Sequence, residues 1–263
     1  MRSSLVLLLL LFIATSLLGQ DSVPNPINET DNWKFRVGPY FWFIGMKASL
    51  ERPPIPATLP EPDSKYELSV PFNEIKNSLK FALLINTEYH NNRYLGVLNA
   101  TSFILEGDAI TPKEILLKNS KYRLAMAFGE ALVGYEIVTH RKFKVQGFIG
   151  AKVIYNKISV RTTYGIKQEF YGEREGFWVE PVAALRIKYI PTPRIECTGY
   201  VDYGPFRVGP ELTNQMTMNV NFLLNKWLYV APGYRYWLFR VRKEEAIFNG
   251  QMYGFFIRMG VQF

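Results

Sequence analysis

The chain has 263 residues, of which 48 % are hydrophobic and 15 % aromatic, and its formal net charge is +8. That length suits one barrel-sized domain or two small ones, and the single cysteine, Cys197, excludes an intrachain disulfide. The basic residues are scattered, with Arg141-Lys142 and Arg242-Lys243 as the densest pairs, so they do not form the aromatic-interleaved basic patch that grips nucleic-acid phosphates. The charge instead favours attraction to anionic lipid headgroups.

The N-terminus has the order of a secretory signal peptide. Arg2 precedes an apolar run from Leu5 to Ile13, and small and polar residues follow from Ala14 to Gly19. The run is too short to cross a bilayer comfortably, although a membrane-anchoring helix is the alternative interpretation. No cysteine follows it, which argues against a lipoprotein. We expect residues 1–20 to be a cleaved signal peptide and residues 21–32 to be a periplasmic N-terminal segment.

From residue 33 onward apolar and polar residues alternate with a period of two, as expected for strands with two different environments. The clearest example runs from Gln215 to Leu224, and the last segment, 248–263, shows the same pattern except at Phe256. These segments reach about ten residues or more, the length of a tilted membrane strand. Charges within them, such as Lys152 and Arg186, need water or partners, so the polar face belongs inside a closed barrel.

Short turns and longer links alternate along the chain, as they do in outer-membrane barrels. The short turns are at 90–93, 139–142, 191–193 and 225–226, and the longer links are at 51–79, 107–118, 161–175, 204–210 and 243–249. They delimit ten strands, at 33–49, 79–90, 93–106, 119–138, 142–160, 176–190, 193–204, 211–224, 227–242 and 248–263. The sequence thus predicts an all-β protein: a transmembrane, antiparallel, up-and-down β-barrel over residues 33–263, of about ten strands, with eight or twelve as alternatives and both termini in the periplasm.

The first long link contains a proline-rich stretch, from Glu51 to Asp63, which predicts an extended segment. The following residues, Val70 to Ile75, predict a short helix with Pro71 at its first position. Two interpretations of this helix are open, a plug inside the lumen and a solvated loop turn, and the second is favoured.

Aromatic residues gather where the strands meet the short turns. Trp227 lies at that level, but the alternation of its strand places it on the inward face. A β-bulge near Pro232 would turn it to the lipid face. Five others fall on the face assigned to lipid, as an interfacial girdle requires: Trp33, Tyr94, Phe143, Tyr189 and Phe263.

Charged residues of both signs fall on the inward face and predict a charge network in the lumen. Its predicted members are Arg36, Glu88, Glu180, Arg186, Arg194, Glu196, Asp202, Arg235 and Arg258, and Glu130 joins them if a β-bulge resets its strand near Gly129. Such charges must pair or be hydrated, because an unpaired buried charge costs on the order of several kcal/mol. A structural salt-bridge core is the favoured interpretation, and a narrow charge-lined path for a small solute is the alternative. A barrel of this size is much thinner than the porins that hold open channels.

The sequence offers no strong catalytic signal. Outer-membrane enzymes commonly use a histidine near the outer rim as a general base, whereas His90 and His140 both lie in predicted periplasmic turns. The two histidines are too isolated to be metal ligands, and there is no phosphate-binding glycine loop, nucleophile elbow or zinc signature. We therefore assign no catalytic residue, no metal and no cofactor.

Two segments carry a resemblance to known proteins. The ending Gly260-Val261-Gln262-Phe263 resembles the C-terminal strand by which outer-membrane proteins reach the barrel-assembly machinery. The opening segment resembles that of a widespread family of uncharacterised bacterial outer-membrane β-barrel proteins, whose Trp-x-Phe-x-x-x-Pro-Tyr-x-Trp pattern is matched by Trp33, Phe35, Pro39, Tyr40 and Trp42. Further similarity covers most of the chain in order, and the departures are the proline-rich first loop and a basic rather than acidic balance.

Together these patterns predict a protein of a Gram-negative outer membrane. The favoured function is non-enzymatic, structural or surface-exposed, with a lumen filled by side chains. The alternatives are a narrow channel for small polar solutes and a lipid-modifying or proteolytic outer-membrane enzyme. The expected partners are outer-membrane lipids, lipopolysaccharide and, through the C-terminal strand, the barrel-assembly machinery, with no nucleic acid.

Overall fold

The computed structural model describes residues 34–51, 65–108, 120–140, 142–164, 168–204, 212–243 and 246–263. In these ranges the secondary-structure elements are β1 (Lys34–Trp42), β2 (Gly45–Glu51), β3 (Lys65–Val70), α1 (Phe72–Ser78), β4 (Leu79–Asn91), β5 (Tyr94–Asp108), β6 (Ser120–His140), β7 (Phe143–Tyr164), β8 (Gln168–Thr192), β9 (Ile195–Gly204), β10 (Leu212–Leu223), β11 (Leu228–Lys243) and β12 (Ala246–Gln262). Within the same ranges no helix has the length and apolarity needed to cross a membrane. The predicted signal peptide, the segment 21–32 and Trp33 lie outside the described residues.

The strands form one closed antiparallel wall. Strands β4 to β12 lie side by side in chain order, each paired with its neighbours, and β1 pairs with both β4 and β12. At this seam Phe35 and Phe263 exchange two backbone hydrogen bonds, of 3.0 and 2.9 Å. β1 and β2 keep a single register against β12 and act as one barrel strand. The wall therefore has ten strands, and the predicted fold is confirmed.

The second barrel strand is interrupted by the helix. β2 pairs Met46 with Val70, whereas the β1–β4 ladder, which ends at Pro39 and Ile85, would place Gly45 opposite Leu79 if it continued. The eight residues 71–78 are therefore looped out of one strand made of β3 and β4. Because eight is an even number, β3 and the part of β4 after Phe81 keep the same inward and outward alternation. A bulge between Leu79 and Phe81 in the β4–β5 ladder offsets Leu79 by one residue, and Leu79 also packs against the interior.

Helix α1 lies against the barrel interior. It begins after Pro71, which is its N-cap rather than its first residue. Ile75 is buried and packs in a cluster with Trp42 and Phe103, and the hydroxyl of Tyr122 on β6 donates a 3.1 Å hydrogen bond to Ser78 Oγ. The expectation of a solvated loop turn holds for Asn73, Glu74, Lys76 and Asn77, which are exposed, but not for Ile75, which reaches the core.

The predicted alternation is present on the strands. On β10 the odd-numbered residues Gln215, Thr217 and Asn219 are buried inside the barrel, whereas Met216 and Met218 are exposed on its outer face. Phe256, which departs from the alternation of β12 in polarity, faces inward and is 1 % exposed. A side chain's direction follows its position along the strand, and Phe256 adds an apolar residue to the interior.

Three predicted details are wrong. The links 161–175 and 243–249 are mostly strand, because β7 and β8 extend to Tyr164 and Gln168 and β11 and β12 to Lys243 and Ala246. The β5–β6 ladder runs through Gly129 without a bulge, and the shift in β6 lies between Glu136 and Val138. The β11–β12 ladder likewise passes Pro232 without a shift. Trp227 is exposed because it lies in the bend before β11 begins.

Candidate functional site

The lumen is the place where functional side chains converge, and its periplasmic end holds a network of ion pairs. Bacterial barrels have their short turns on the periplasmic side, which orients the molecule. We define the lower cluster as Arg36, Glu88, Arg186, Lys188, Glu196 and Arg258. Glu88 pairs with Arg186 at 3.0 Å and with Arg258 at 3.7 Å, and Glu196 pairs with Lys188 at 3.1 Å and with Arg36 at 3.2 Å. Four basic groups thus face two carboxylates.

Amide side chains bind two of the guanidinium groups of the lower cluster. Arg186 Nε donates to Gln146 Oε1 at 2.7 Å, and Arg36 Nε donates to Gln262 Oε1 at 3.0 Å. The buried Nε of Arg258 has no hydrogen-bond partner among the described residues. Buried polar groups need such partners because an unsatisfied donor costs about 1–3 kcal/mol.

A second cluster lies further from the periplasmic turns. We define the middle cluster as Glu130, Lys152, Glu180 and Asp202. The Lys152 ammonium lies 3.0 Å from Asp202 Oδ1 and 3.7 Å from Glu130 Oε1. The backbone N–H of Gln215 also donates to Asp202, at 3.0 Å. Glu180 is fully buried and accepts a hydrogen bond from the Thr213 hydroxyl. Carboxyl groups thus outnumber the ammonium here, whereas basic groups outnumber carboxylates in the lower cluster.

Arg235 lies among aromatic rings and lines both a cavity beside Lys152 and a cavity among the lower-cluster charges. Its Nη1 donates a 2.8 Å hydrogen bond to the Tyr40 hydroxyl, and its guanidinium lies 5.0 Å from the centre of the Tyr40 ring and 5.2 Å from that of Trp42. Within the described ranges no carboxylate pairs with it. Cation–π contacts of this kind are strongest in desolvated surroundings, and they replace a counterion here.

The extracellular half of the lumen is filled by apolar side chains. Trp237 is central: its ring is 4.2 Å from that of Phe128 in an edge-to-face arrangement and 5.4 Å from that of Phe239. We call this layer the apolar plug, and its main members are Trp42, Phe103, Met126, Phe128, Ile154, Trp237, Phe239, Met252 and Phe256. The plug covers the charged clusters on the extracellular side.

Little free space remains among these groups. A cavity of about 20 Å³ lies beside Trp42 and Lys152, and one of about 50 Å³ lies among the lower-cluster charges. A buried water needs at least about 10–15 Å³, so these spaces admit a few waters and no organic solute.

The predicted lumen residues are distributed as follows. Nine of the ten lie inside the barrel, in the two clusters or, for Arg235, among the rings. The prediction for Arg194 is wrong, because this residue lies in the β8–β9 turn and is exposed. The predicted charge network did not include Lys152, although the sequence placed it on the inward polar face, or Lys188, which the alternation on β8 points inward. It also omitted Glu136, whose carboxylate pairs with Lys144 at 3.0 Å near the periplasmic end.

Aromatic rings surround the periplasmic end of the outer face. Phe143 and Tyr189 stack at 4.6 Å, and Tyr94 meets Tyr135 edge to face at 5.6 Å. Phe263 lies 6.5 Å from Phe35 and 6.0 Å from Trp227. Tyr94, Phe143, Tyr189 and Phe263 are exposed, as expected for a girdle, and Trp33 lies outside the described residues.

The histidines lie at the ends of strands. His90 is near the end of β4 and His140 is the last residue of β6, both at the periplasmic end. In the part of the chain that the structure describes, no group of three or more His, Cys, Asp or Glu side chains is arranged to hold a metal ion.

The outer face defines the class of protein. Exposed apolar side chains cover it on every barrel strand, among them Phe41, Leu98, Ile149, Met218 and Phe255. A closed barrel with an apolar outer face, an aromatic girdle and an interior that holds networks of buried charges is a transmembrane β-barrel of the outer-membrane type. The chain is an outer-membrane β-barrel protein.

Three solved outer-membrane proteins align with most of the chain, one of them with a TM-score above 0.5. The outer membrane protease OmpT from Escherichia coli aligns with 89 % of this chain and 96 % of its own, with a TM-score of 0.52 and 8 % identity. Ail, the attachment invasion locus protein of Yersinia pestis, aligns with 88 % of this chain and 97 % of its own, with a TM-score of 0.33 and 10 % identity. For OprG from Pseudomonas aeruginosa the shares are 88 % and 95 %, with a TM-score of 0.35 and 10 % identity. No protein-family model and no curated protein sequence matches the chain.

Proposed function

We propose that this protein is a non-enzymatic, non-conducting outer-membrane barrel with a structural or surface-exposed role. The observation that supports the proposal is the apolar plug, in which Trp237 and Phe256 are each at most 3 % exposed. A hydrated ion crossing this layer would have to lose its water shell, and hydrophobic constrictions block conduction for that reason. The charges beneath the plug are then a structural network that joins distant strands.

The extracellular part of the wall supports a surface-exposed role. β6, β7 and β8 have 21, 22 and 25 residues, whereas about 9–11 residues cross the bilayer. The surplus extends beyond the membrane. There Lys157 and Glu173 form a 2.8 Å ion pair, and the hydrogen bond from Lys157 lowers the pKa of the Glu173 carboxyl. This wall presents a broad, ordered face to the exterior.

The proposed partners follow from the outer surface. The girdle and the exposed apolar belt favour contact with outer-membrane lipids and lipopolysaccharide. The alternation of β12, with Phe255 and Ile257 exposed and Arg258 buried, is compatible with recognition by the barrel-assembly machinery. The resemblance to the uncharacterised barrel family, carried by Pro39, Tyr40 and Trp42, remains a prediction.

Conductance across a planar lipid bilayer tests the closed lumen. The folded protein is expected to give no single-channel steps, whereas Trp237→Ala combined with Phe256→Ala removes two large rings of the plug and is expected to give small ones. Phe255→Ala, which changes only the lipid face, is the matched control. Steps from the unaltered protein that the double variant enlarges would establish the channel alternative instead.

Lipid analysis tests the enzyme alternative. Lipid A and phospholipid acyl patterns are compared between cells with and without the protein, and the proposal expects identical patterns. A changed acyl pattern would assign a lipid-modifying activity and overturn the non-enzymatic assignment.

A further inference from the structure

The barrel wall has a gap at the helix insertion. The β1–β4 ladder ends at the pair Pro39–Ile85, and the β2–β3 ladder starts at Met46–Val70. Between these pairs, residues 40–44 on one side and 79–84 on the other share no ladder pair in the described chain. Strands β1 and β4 therefore separate over this stretch, although each keeps its other neighbour.

An apolar cavity occupies the gap. Its volume is about 200 Å³, and ten of its eleven lining residues are apolar, including Trp42, Ile75, Leu84 and Phe103. Helix α1 closes one side, where Phe72 meets Phe43 edge to face with ring centres 5.1 Å apart. The cavity has almost no polar groups with which water molecules could form hydrogen bonds, and apolar cavities of this kind stay dry.

The cavity reaches through the wall from the lipid side. Phe41 lines it and is 55 % exposed on the outer face, whereas Trp42 and Leu84 line it from the buried interior. The neighbouring outward residues Phe81 and Leu83 are 48 % and 53 % exposed and face the hydrocarbon. About ten residues of a strand cross the membrane, so a gap that begins six residues after Lys34 lies in the outer half of the bilayer.

We propose that this cavity binds a headgroup-proximal segment of an acyl chain of an anionic outer-leaflet lipid. A cavity of about 150 Å³ lined by Leu, Ile and Phe is large enough to bind benzene, so this larger one accepts a short hydrocarbon segment. Lipid chains are the molecules that surround its mouth. The remaining lining residue, Lys76, is exposed on α1 and supplies a cation for a lipid phosphate.

Photolabelling in lipid vesicles tests the site. The probe is phosphatidylglycerol with a diazirine in the headgroup-proximal half of one acyl chain, and the labelled residues are mapped by mass spectrometry. A bound chain is expected to label Ile75 and Leu84, which are buried, in addition to lipid-facing residues such as Leu98. Absence of label at both buried residues in the unaltered protein would overturn the proposal.

Phenylalanine substitutions at two alanines, one inside and one outside the cavity, provide the matched comparison. Ala82 lines the cavity, and Ala82→Phe is expected to abolish labelling of Ile75 and Leu84 while leaving that of Leu98. Ala100 is exposed on β5 away from the cavity, and Ala100→Phe is expected to change neither. If Ala82→Phe does not reach the folded form on a semi-native gel, Leu79→Phe fills the same space. Unchanged labelling of the buried residues in a folded, filled variant would contradict the proposal.

A charge variant tests the headgroup contact. Lys76→Glu is expected to reduce labelling of Leu84 by the phosphatidylglycerol probe but not by a phosphatidylcholine probe with the same chain. Equal labelling by both probes in the unaltered protein would overturn the preference for an anionic lipid. The lipid site is separate from the closed lumen and from any catalysis. A negative photolabelling result would therefore overturn this inference and leave the proposed function unaffected.

Discussion

Arg235 and Tyr40 are 195 positions apart in the chain, yet the Arg235 guanidinium donates a 2.8 Å hydrogen bond to the Tyr40 hydroxyl. The two residues lie on β11 and β1, which β12 separates. The bond therefore runs across the lumen side of the seam where the barrel closes. Tyr40 also lies within hydrogen-bond distance of Thr101 on β5, so one phenol connects three parts of the wall.

Removal of the Tyr40 hydroxyl should destabilise the barrel. Tyr40→Phe leaves the ring contact but deprives Arg235 of its acceptor, and hydrogen bonds to charged groups contribute about 1.5–3 kcal/mol. The free energy of unfolding in urea, measured in lipid vesicles, is expected to fall by about that amount. In an Arg235→Met background the same change should cost clearly less, since no charged donor remains. Equal costs in both backgrounds would contradict the role given to this bond.

Glu196 should be among the most sensitive carboxylates of the lumen. Glu196→Gln keeps the side-chain shape but leaves Arg36 and Lys188 without their common counterion. Breaking a buried pair by removing one partner costs about 3–5 kcal/mol, and unfolding titrations should show a loss of this size. Glu173→Gln removes a carboxylate from the exposed pair with Lys157 and is the control expected to leave stability unchanged. Similar losses in both variants would argue against a buried network.

Two adjacent phenylalanines on β12 allow the stability contributed by packing in the plug to be distinguished from that contributed by lipid contact. Phe256 is 1 % exposed in the plug, and Phe255 is 69 % exposed toward lipid. Phe256→Ala leaves a cavity and should cost about 3–5 kcal/mol. Phe255→Ala loses only the transfer energy of the side chain, about 1.5–3 kcal/mol, because lipid chains fill the space. Equilibrium unfolding of the two variants measures the difference, and a larger loss for Phe255→Ala would contradict the assigned faces.

Deletion of residues 71–78 should produce a continuous second barrel strand. Val70 would then precede Leu79 directly, and the β1–β4 ladder could extend through residues 40–44 once the bulge between Leu79 and Phe81 in the β4–β5 ladder is rearranged. The variant is expected to fold, and amide hydrogen exchange of residues 40–44 should slow. Photolabelling of Leu84 by the lipid probe should disappear.

A deletion one residue shorter is the control for this prediction. Removing only 72–78 takes out an odd number of residues and turns every side chain of β3 to the opposite face relative to β4. This variant should reach the folded form in lower yield on a semi-native gel, because the remaining extra residue needs a second bulge beside the one between Leu79 and Phe81. If both deletions fold equally well, the register relationship between β3 and β4 is not what holds this wall together.

Alternation along the sequence was sufficient to predict the strand count and most of the lumen. On β10 the sequence separates Thr217 and Asn219 from Met216 and Met218 without knowledge of any neighbour, because lipid and lumen impose opposite polarity on alternate residues. Glu130 shows the limit of this reasoning. When alternate residues of β6 are counted from the turn at 139–142, Glu130 points inward only if the strand contains a bulge. That bulge lies between Glu136 and Val138 rather than near Gly129.

Features that depend on pairing between remote segments were not predicted. Residues Lys65–Val70 alternate as a strand does, but the prolines before them and the helix after them led to their assignment as a loop. The eight-residue insertion becomes visible only when the registers of β2–β3 and β1–β4 are compared. Likewise, phase alone places Arg235 inside but does not reveal that Tyr40 and Trp42, rather than a carboxylate, surround it.

The different balance of basic and carboxyl groups in the lower and middle clusters makes the barrel asymmetric along its axis. Basic groups such as Arg36 and Lys188 are in excess toward the periplasm, and carboxyl groups such as those of Glu130 and Asp202 are in excess beneath the plug. An ion entering from either end would meet a different sequence of attraction and repulsion. Any pore engineered through this protein would therefore rectify, passing more current under one voltage polarity than under the other.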